Sequence, residues 1–214
     1  MIKGVLFDMD GVLLDSEKYI AEAAIQMFRE MGLDVKKEDF IPFVGAGEDR
    51  YLGGVAEKYN FPYVLEQIKK RAYEIYGELV AGKLKPMAGV EDFIKKCREK
   101  DLKMAVATSA DKVKMLINLK ETGLNKDMFD VLINGLDVEK KKPDPEIYLK
   151  AASELGLDPK ECLVVEDAIN GVKAAKTAGS KCLAVTTSFS KKELSEADWI
   201  TDSLEHIPED VLNW

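Results

Sequence analysis

A short apolar run near the start of the chain is followed directly by Asp8, Asp10 and Gly11. Residues 5–7 have the composition of a strand buried on both faces, and loops after parallel strands commonly hold ligands. Two carboxylates this close repel each other unless a cation lies between them, and Mg²⁺ accepts such oxygen ligands. We therefore predict that Asp8 lies against a metal and that Asp10 transfers a proton. The alternative is an ordinary acidic turn, since aspartate and glycine are common turn residues.

A second apolar run, residues 104–107, ends in the hydroxyl side chains of Thr108 and Ser109. The Thr108 hydroxyl and the backbone N–H groups at the start of the next helix can donate hydrogen bonds to phosphate oxygens. The alternative is that Thr108, Ser109 or Asp111 only caps that helix.

A run of three lysines precedes two prolines, in the order Lys140, Lys141, Lys142, Pro143, Asp144 and Pro145. A compact ammonium group here can neutralise a carboxylate and a phosphate as a point charge. The alternative is an exposed lysine run before a helix that begins with proline.

An acidic pair, Glu166 and Asp167, closes a further apolar run at residues 163–165. These carboxylates are candidate metal ligands. The alternative is an acidic cluster at a helix N-terminus, where the helix dipole favours negative charge.

Together the four features resemble the four motifs of the haloacid dehalogenase superfamily of phosphotransferases, in the family's order and over nearly the whole chain. The first family motif is D-x-D-G after the first strand, and the third is a lysine commonly followed by P-x-P. The resemblance implies that Asp8 is the nucleophile and that Lys142 is the functional lysine. It implies that Asp10 is the general acid and base and that its backbone carbonyl ligates the metal. The implied cofactor is Mg²⁺, with Asp8, Asp10, Glu166 and Asp167 as its ligands, Glu166 directly or through water.

The elements that must position these residues alternate between strands and helices from residue 85 onward. Such alternation predicts right-handed crossovers and a Rossmann-like parallel α/β sheet. The predicted strands are residues 5–7, 104–107, 131–133, 163–165 and 182–185, with a short edge strand at 199–200. The predicted helices of this part are residues 111–122, 145–155 and 168–178, and an apolar stripe over 90–97 indicates another.

The span from residue 16 to 83 has helical patterning and no convincing strand. Its predicted helices are residues 16–31, with Ser16 as N-cap, a short helix at 36–44, and helices at 49–59 and 63–80. We therefore predict an α/β core of residues 1–15 and 84–214 and an all-helical cap domain of residues 16–83. The resemblance implies that such a cap closes over the site, excludes water and selects the substrate.

The implied activity is a Mg²⁺-dependent phosphatase that hydrolyses a small phosphorylated metabolite through an aspartyl-phosphate at Asp8. Family members that cleave carbon–halogen bonds lack the second aspartate of the first motif, so Asp10 argues against dehalogenation. The residues expected to contact the substrate are Gly11, Gly45, Glu48, Thr108, Ser109 and Lys142.

Two alternatives stay open: a sugar phosphomutase of the β-phosphoglucomutase type and, less favoured, a regulatory module without turnover. In the β-phosphoglucomutase pattern a cap-hinge histidine falls where this chain has Ile20, and an arginine falls where it has Glu48. Neither residue can replace its counterpart, so the phosphatase is favoured. A slip in the second alignment would instead give Arg50 the role of that arginine.

The composition limits the partners. A net charge of −8 over 214 residues argues against a nucleic-acid partner. No apolar run approaches the roughly 18–20 residues of a membrane span and no signal peptide is recognisable, so we expect a cytoplasmic protein without a membrane partner. The three cysteines have no C-x-x-C spacing and are expected to be buried reduced thiols, and the single histidine argues against a zinc site. We expect a monomer.

Overall fold

The structure, a computed structural model, describes residues 1–43 and 47–214. Within these residues, six strands form one sheet in the order β3-β2-β1-β4-β5-β6, and every neighbouring pair is parallel. The strands are β1 (Gly4–Phe7), β2 (Lys103–Ala107), β3 (Val131–Ile133), β4 (Cys162–Glu166), β5 (Lys181–Val185) and β6 (Trp199–Thr201). The predicted Rossmann-like α/β fold is confirmed.

Helices follow the strands on both faces of the sheet, as the alternating sequence pattern predicts. They are α1 (Glu17–Glu30), α2 (Glu48–Lys58), α3 (Leu65–Val80), α4 (Val90–Glu99), α5 (Lys112–Thr122), α6 (Glu146–Glu154) and α7 (Ile169–Ala178). Each predicted core strand and helix is present within a few residues of its expected bounds.

Strand β1 lies at the centre of the sheet and is hydrogen-bonded to β2 on one side and to β4 on the other. Val5 and Phe7 pack into one hydrophobic cluster and Leu6 into the other, as expected for alternate side chains of a strand. The Phe7 ring meets Phe93 and Phe129 edge-on, at centroid distances of 5.9 and 6.0 Å. Because β1 is held on all sides, the residues that follow it start from a fixed position.

Helices α1 to α3 lie between β1 and α4 in the chain. The two passages of the backbone that lead into and out of this helical segment run side by side, with a bridge between Leu14 and Pro86. The N–H of Met87 also donates to the carbonyl of Leu13 at 2.9 Å. This pairing agrees with the expected return of the chain near residue 86, and the division into core and cap domains stays a prediction.

The short helix predicted over residues 36–44 is wrong within the described residues, where two 3₁₀ turns take its place. They comprise Lys37–Asp39 and Ile41–Phe43. Asp39 explains the first turn, because its carboxylate accepts the N–H of Lys36 at 2.8 Å and a bond from Lys58 at 2.6 Å. These bonds hold the backbone in a turn that a continuous α-helix does not contain.

Two compositional expectations can be compared with the structure. All three cysteines are free and buried, as predicted. Among the helices of the described residues, none combines the length and the apolar character needed to cross a membrane.

Candidate active site

Three strands that neighbour each other, β2, β1 and β4, end at one edge of the sheet and present predicted site residues there. Asp8 follows β1, Thr108 follows β2, and Asp167 follows β4. These residues and Lys142 line a cavity of about 750 Å³. The helical segment supplies further lining residues, among them Ile20, Phe40, Phe43, Glu48 and Tyr51. The parallel register of the sheet therefore gathers residues that are far apart in sequence around one space.

Lys142 connects two carboxylates in the cavity wall. Its Nζ lies 2.7 Å from Asp8 Oδ1 and 2.6 Å from Glu166 Oε1, and the lysine side chain is only 7% exposed. Burial lowers the pKa of Lys142, but Asp8 and Glu166 raise it by more, so its pKa lies above the usual range. A permanently charged ammonium beside Asp8 can neutralise both that carboxylate and an approaching phosphate.

The two neighbouring lysines have other contacts. The Lys141 amine donates to the backbone carbonyls of Gly135 and Val138, at 3.0 Å for Val138. Lys140 is exposed and lies 3.8 Å from Asp144. Of the three consecutive lysines, Lys142 is the one whose amine reaches Asp8.

Glu166 is 1% exposed, and both of its carboxylate oxygens accept hydrogen bonds from the protein. Oε1 accepts from Lys142 and, at 2.8 Å, from the Tyr148 hydroxyl. Oε2 accepts the N–H groups of Asp167 and Ala168, both at 2.8 Å. Each carboxylate oxygen has two lone pairs, so these four donors use all of them. The arrangement makes Glu166 a support for Lys142, and its predicted contact to a metal, directly or through water, stays a prediction.

Asp167 completes an acidic cluster with Asp8 and Glu166, in which each residue offers one carboxylate oxygen within 4.8 Å of those of the other two. The Ser188 hydroxyl donates to Asp167 Oδ2. Gly11 has a φ of +79°, and a Cβ at this position would overlap the Asp167 carboxylate. Gly11 therefore lets the loop after β1 approach Asp167, as its predicted turn requires, and it is not among the described residues that line the cavity.

The donor set of this cluster fits a divalent cation such as Mg²⁺. It consists of buried carboxylate oxygens, the ligands that hard cations prefer, and it contains no thiolate or imidazole among the described residues. Asp8 and Asp167 each retain oxygen lone pairs beyond the hydrogen bonds described above, and they are the side chains we expect to hold the ion.

Burial and mutual repulsion raise the pKa values of two carboxyl groups in this cluster. Burial raises the pKa of Asp8 to about 7, with Lys142 opposing the shift and Glu166 adding to it. Burial, followed by the charges of Glu166 and Asp8, raises the pKa of Asp167 to about 8. At neutral pH protons and a divalent cation therefore compete for the carboxylates of this cluster.

The first prediction concerns this competition. Because both pKa values are higher in the folded state, the metal-free fold binds more protons than the unfolded chain between about pH 4 and pH 8, so its stability falls as the pH rises through this window. Added Mg²⁺ replaces those protons. We expect it to raise the melting temperature clearly at about pH 8 and only slightly at about pH 5.

Thermal unfolding followed with magnesium and with a chelator at both pH values measures this difference. Asp167→Asn should lose most of the magnesium-dependent shift, whereas Asp15→Asn, which alters an exposed residue, should keep it. An equal shift at the two pH values, or none at the higher one, would contradict a magnesium site in this cluster.

Thr108 is buried and lies in a tight turn at the end of β2. Its N–H donates to the Ile133 carbonyl at 3.0 Å, and its Oγ1 accepts the N–H of Ala110 at 3.1 Å. The hydroxyl acts as an acceptor in this turn, so its proton can be offered to a phosphate oxygen in the cavity. Ser109 lines the same cavity. The N-cap position of α5 is held by Asp111, whose side chain makes no capping hydrogen bond, and the predicted phosphate contact of Thr108 stays a prediction.

Asp10 also lines the cavity, and both of its oxygens are held. The Ser16 hydroxyl donates to Oδ1, and Lys114 Nζ lies 2.8 Å from Oδ2. Ser16 occupies the N-cap position of α1, as predicted, but its side chain makes no capping hydrogen bond. The reason is that its hydroxyl is directed to Asp10.

Three residues with direct contacts to the site had not been predicted, namely Lys114, Tyr148 and Ser188. Lys114 lies on the buried stripe of α5 beside Met115 and Leu119. A lysine on an apolar stripe is a weak signal that it has a buried anionic partner. The sequence offered no comparable signal for Tyr148 or Ser188.

Of the two residues in the helical segment that were predicted to contact the substrate, the structure describes only Glu48. Gly45 lies outside the described residues. Glu48 begins α2, is 9% exposed and lines the cavity. Its predicted substrate contact stays a prediction.

A protein-family model described as haloacid dehalogenase-like hydrolase matches residues 5–185. This range runs from β1 to the end of β5 and contains Asp8, Thr108, Lys142 and Asp167. The match therefore covers most of the chain and every one of the four motif positions.

Two curated proteins show similarity over most of this chain. It is 43% identical over 202 residues to the Arabidopsis thaliana Protein SUPPRESSOR OF QUENCHING 1, chloroplastic, covering 92% of this chain and 19% of that protein. It is 35% identical over 178 residues to a Thermotoga maritima protein named Phosphorylated carbohydrates phosphatase, covering 83% of this chain and 82% of that protein. The chain thus spans about a fifth of the first relative and most of the second.

The crystal structure of CbbY from Rhodobacter sphaeroides in complex with phosphate has the same overall arrangement. The TM-score is 0.91 at 25% sequence identity, and the superposition covers 100% of both chains. The sheet and the helical segment described above therefore recur together in a solved structure.

Proposed function

Because this chain belongs to the haloacid dehalogenase-like hydrolase family, we propose that it is a Mg²⁺-dependent phosphatase that hydrolyses a small phosphorylated metabolite. The observation that carries the proposal is the contact of Lys142 Nζ with Asp8, at 2.7 Å, beside the buried acidic cluster and the large cavity. A nucleophile, a fixed positive charge and a candidate metal site thus meet in a space that admits a small molecule. Phosphoryl transfer depends mainly on such positioning and charge neutralisation.

In the proposed reaction an oxygen of Asp8 bonds to the substrate phosphorus as the ester P–O bond breaks. Lys142 and Thr108 line the same cavity as Asp8, and their ammonium and hydroxyl groups stabilise the charge on the phosphoryl oxygens. Asp8 and Asp167 would hold a Mg²⁺ ion, which would supply further neutralisation of that charge. Glu166 keeps the Lys142 amine in place.

Asp10 supplies the proton transfers of the two half-reactions. Its carboxyl proton passes to the leaving oxygen as the substrate alcohol departs. Asp10 then takes a proton from water, the water oxygen bonds to phosphorus, and the bond to Asp8 breaks. Inorganic phosphate leaves, and both aspartates return to their starting states.

We propose that the helical cap of residues 16–83 closes the cavity and selects the substrate. The cap side of the cavity combines apolar and aromatic residues with charged side chains, namely Glu17, Lys18, Lys37, Glu38 and Glu48, which suits a hydroxylated carbon skeleton. The Thermotoga maritima relative is named for phosphorylated carbohydrates. Phosphorylated sugars or polyols are therefore the first substrates to test, with Glu48 and Ser109 as candidate contacts.

The direct test is release of inorganic phosphate from p-nitrophenyl phosphate, followed by a panel of phosphorylated metabolites, with Mg²⁺ and with a chelator. We expect release that requires Mg²⁺ and is strongest for one group of sugar or polyol phosphates. The matched Asp8→Asn protein controls for contaminating phosphatases. Absence of release throughout the panel would favour the regulatory module instead.

Specific residues favour the phosphatase over the phosphomutase. Ile20 lines the cavity at the position where the β-phosphoglucomutase pattern has a histidine, and an isoleucine cannot relay a proton. Glu48 lines it where that pattern has an arginine, and a carboxylate repels a second phosphate. Arg50, the alternative for that role, is more than half exposed and pairs with Glu57 at 2.9 Å. It is not among the described residues that line the cavity.

The second prediction follows from this comparison. Incubation with β-glucose 1-phosphate and a trace of the sugar bisphosphate should give free phosphate or no reaction, and should not accumulate glucose 6-phosphate. The reason is that the cavity lacks, among the described residues, the two groups that would hold and reorient a bisphosphate. Catalytic formation of glucose 6-phosphate with little free phosphate would make the mutase the better assignment.

A further inference from the structure

A second buried lysine, Lys114 of α5, lies in the wall of the same cavity and has no role in the reaction proposed above. Its Nζ is 2.8 Å from Asp10 Oδ2 and 3.7 Å from Glu48 Oε1, and its side chain is 6% exposed. The lysine thus joins three segments: the loop after β1, helix α5 and the first turn of α2.

The ion pair holds one side of the Asp10 carboxylate, and Ser16 holds the other through Oδ1. Asp10 is otherwise a short side chain in a loop, 19% exposed at the cavity surface. A carboxyl group held at both oxygens keeps one rotamer, and the second lone pair on each oxygen remains to carry the proton that passes to a defined substrate oxygen.

Burial of an ammonium is unfavourable unless anions compensate it, and well-packed apolar residues often replace buried ion pairs without loss of stability. Asp10 and Glu48, 2.8 and 3.7 Å from the Lys114 amine, are the anions that compensate its charge. Stability alone therefore gives little reason for a charged group here, whereas its contact with a cavity-lining aspartate does.

We infer that Lys114 is a positioning residue, which fixes the Asp10 carboxylate for proton transfer and links it to Glu48 of α2. The inference rests on the proposed acid–base role of Asp10. Lys114 itself does not exchange a proton with the substrate. Its effect should therefore appear only in steps that need Asp10.

The test compares two phosphate monoesters, p-nitrophenyl phosphate and an alkyl phosphate that the wild-type enzyme hydrolyses. The nitrophenolate leaves without needing a proton, whereas an alkoxide does not. We expect Lys114→Met to lower kcat/KM by about 10²-fold for the alkyl phosphate and by less than about tenfold for the aryl phosphate. Lys114→Arg, which keeps the charge, should recover part of the loss with the same selectivity.

A double-mutant cycle with Asp10→Asn then asks whether Lys114 acts through Asp10. On the Asp10→Asn background, Lys114→Met should change kcat/KM for the alkyl phosphate by less than about twofold, because the positioned group is already absent. Lys120→Met is the matched control, since Lys120 lies on the same helix and is 83% exposed. It should behave as the wild type.

Each contrary result has one meaning. Equal losses for both substrates, a change in KM alone, or full additivity with Asp10→Asn would overturn the positioning role while leaving the proposed function intact. A wild-type enzyme that hydrolyses neither ester would instead overturn the proposed function, and the role of Lys114 with it. If Lys114→Met does not fold, as judged by circular dichroism, the Lys114→Arg protein carries the same comparison of substrates.

Discussion

Asp8→Asn is expected to lower phosphate release by at least about 10³-fold while the protein stays folded. An amide is a poor nucleophile, and it also removes one negative charge from the candidate metal site. The fold should survive because asparagine has nearly the same shape and the substitution removes a carboxylate whose pKa is already raised by burial. Steady-state phosphate release and circular dichroism of the purified variant measure the two effects.

Asp15→Asn is the matched control for this substitution. Asp15 lies in the same part of the chain and is exposed, so its loss should leave turnover unchanged. Wild-type turnover in Asp8→Asn would show that Asp8 is not the nucleophile, whatever the other residues do.

Lys142→Met is expected to have the second largest effect, because it leaves two buried carboxylates without their shared cation. Asp8 and Glu166 lie 2.7 and 2.6 Å from the amine. Removal of the Lys142 ammonium from this buried ion pair should lower the free energy of unfolding of the metal-free protein by roughly 3–5 kcal/mol. Loss of the fixed charge beside the phosphoryl group should lower kcat by about 10³-fold.

Denaturant unfolding without metal and phosphate-release kinetics with Mg²⁺ measure these two losses separately. The neighbouring Lys140→Met is the control, since Lys140 is exposed and should tolerate the change. A Lys142→Met protein with normal kcat would remove Lys142 from the mechanism even if its stability were reduced.

The fold was largely predictable because its signals are local. Buried parallel strands such as β1 are short apolar runs, and the helices between them have apolar stripes that recur every three or four residues. The described part of the segment over residues 36–44, residues 36–43, was mispredicted because its turns depend on Asp39, whose partners Lys58 and Tyr59 lie at the end of α2 and just after it. Such a contact cannot be recognised before the helix is placed.

The candidate site was predictable to the extent that its residues directly follow strands. Asp8, Thr108 and Asp167 do so, and the parallel sheet then brings them together. Lys142 lies on a longer loop, where the resemblance to the family motif selects it from three consecutive lysines, and it is the one of the three whose amine contacts Asp8.

The supporting contacts were not predictable, because they depend on helix packing and side-chain rotamers. Lys114 of α5 contacts Asp10, which is 104 positions earlier in the sequence, and Tyr148 of α6 contacts Glu166 at the end of β4. Neither residue follows a strand or belongs to a motif. Their roles became visible only when the tertiary structure placed their polar atoms next to the site.

The stereochemical course at phosphorus tests the central claim most directly. The substrate carries a phosphorothioate group made chiral with two oxygen isotopes, hydrolysis takes place in water of the third isotope, and the configuration of the released thiophosphate is determined. Attack by Asp8 followed by attack of water comprises two in-line displacements, each with inversion, so we predict net retention. Net inversion would mean that water attacks the substrate directly, and it would contradict a covalent intermediate on Asp8.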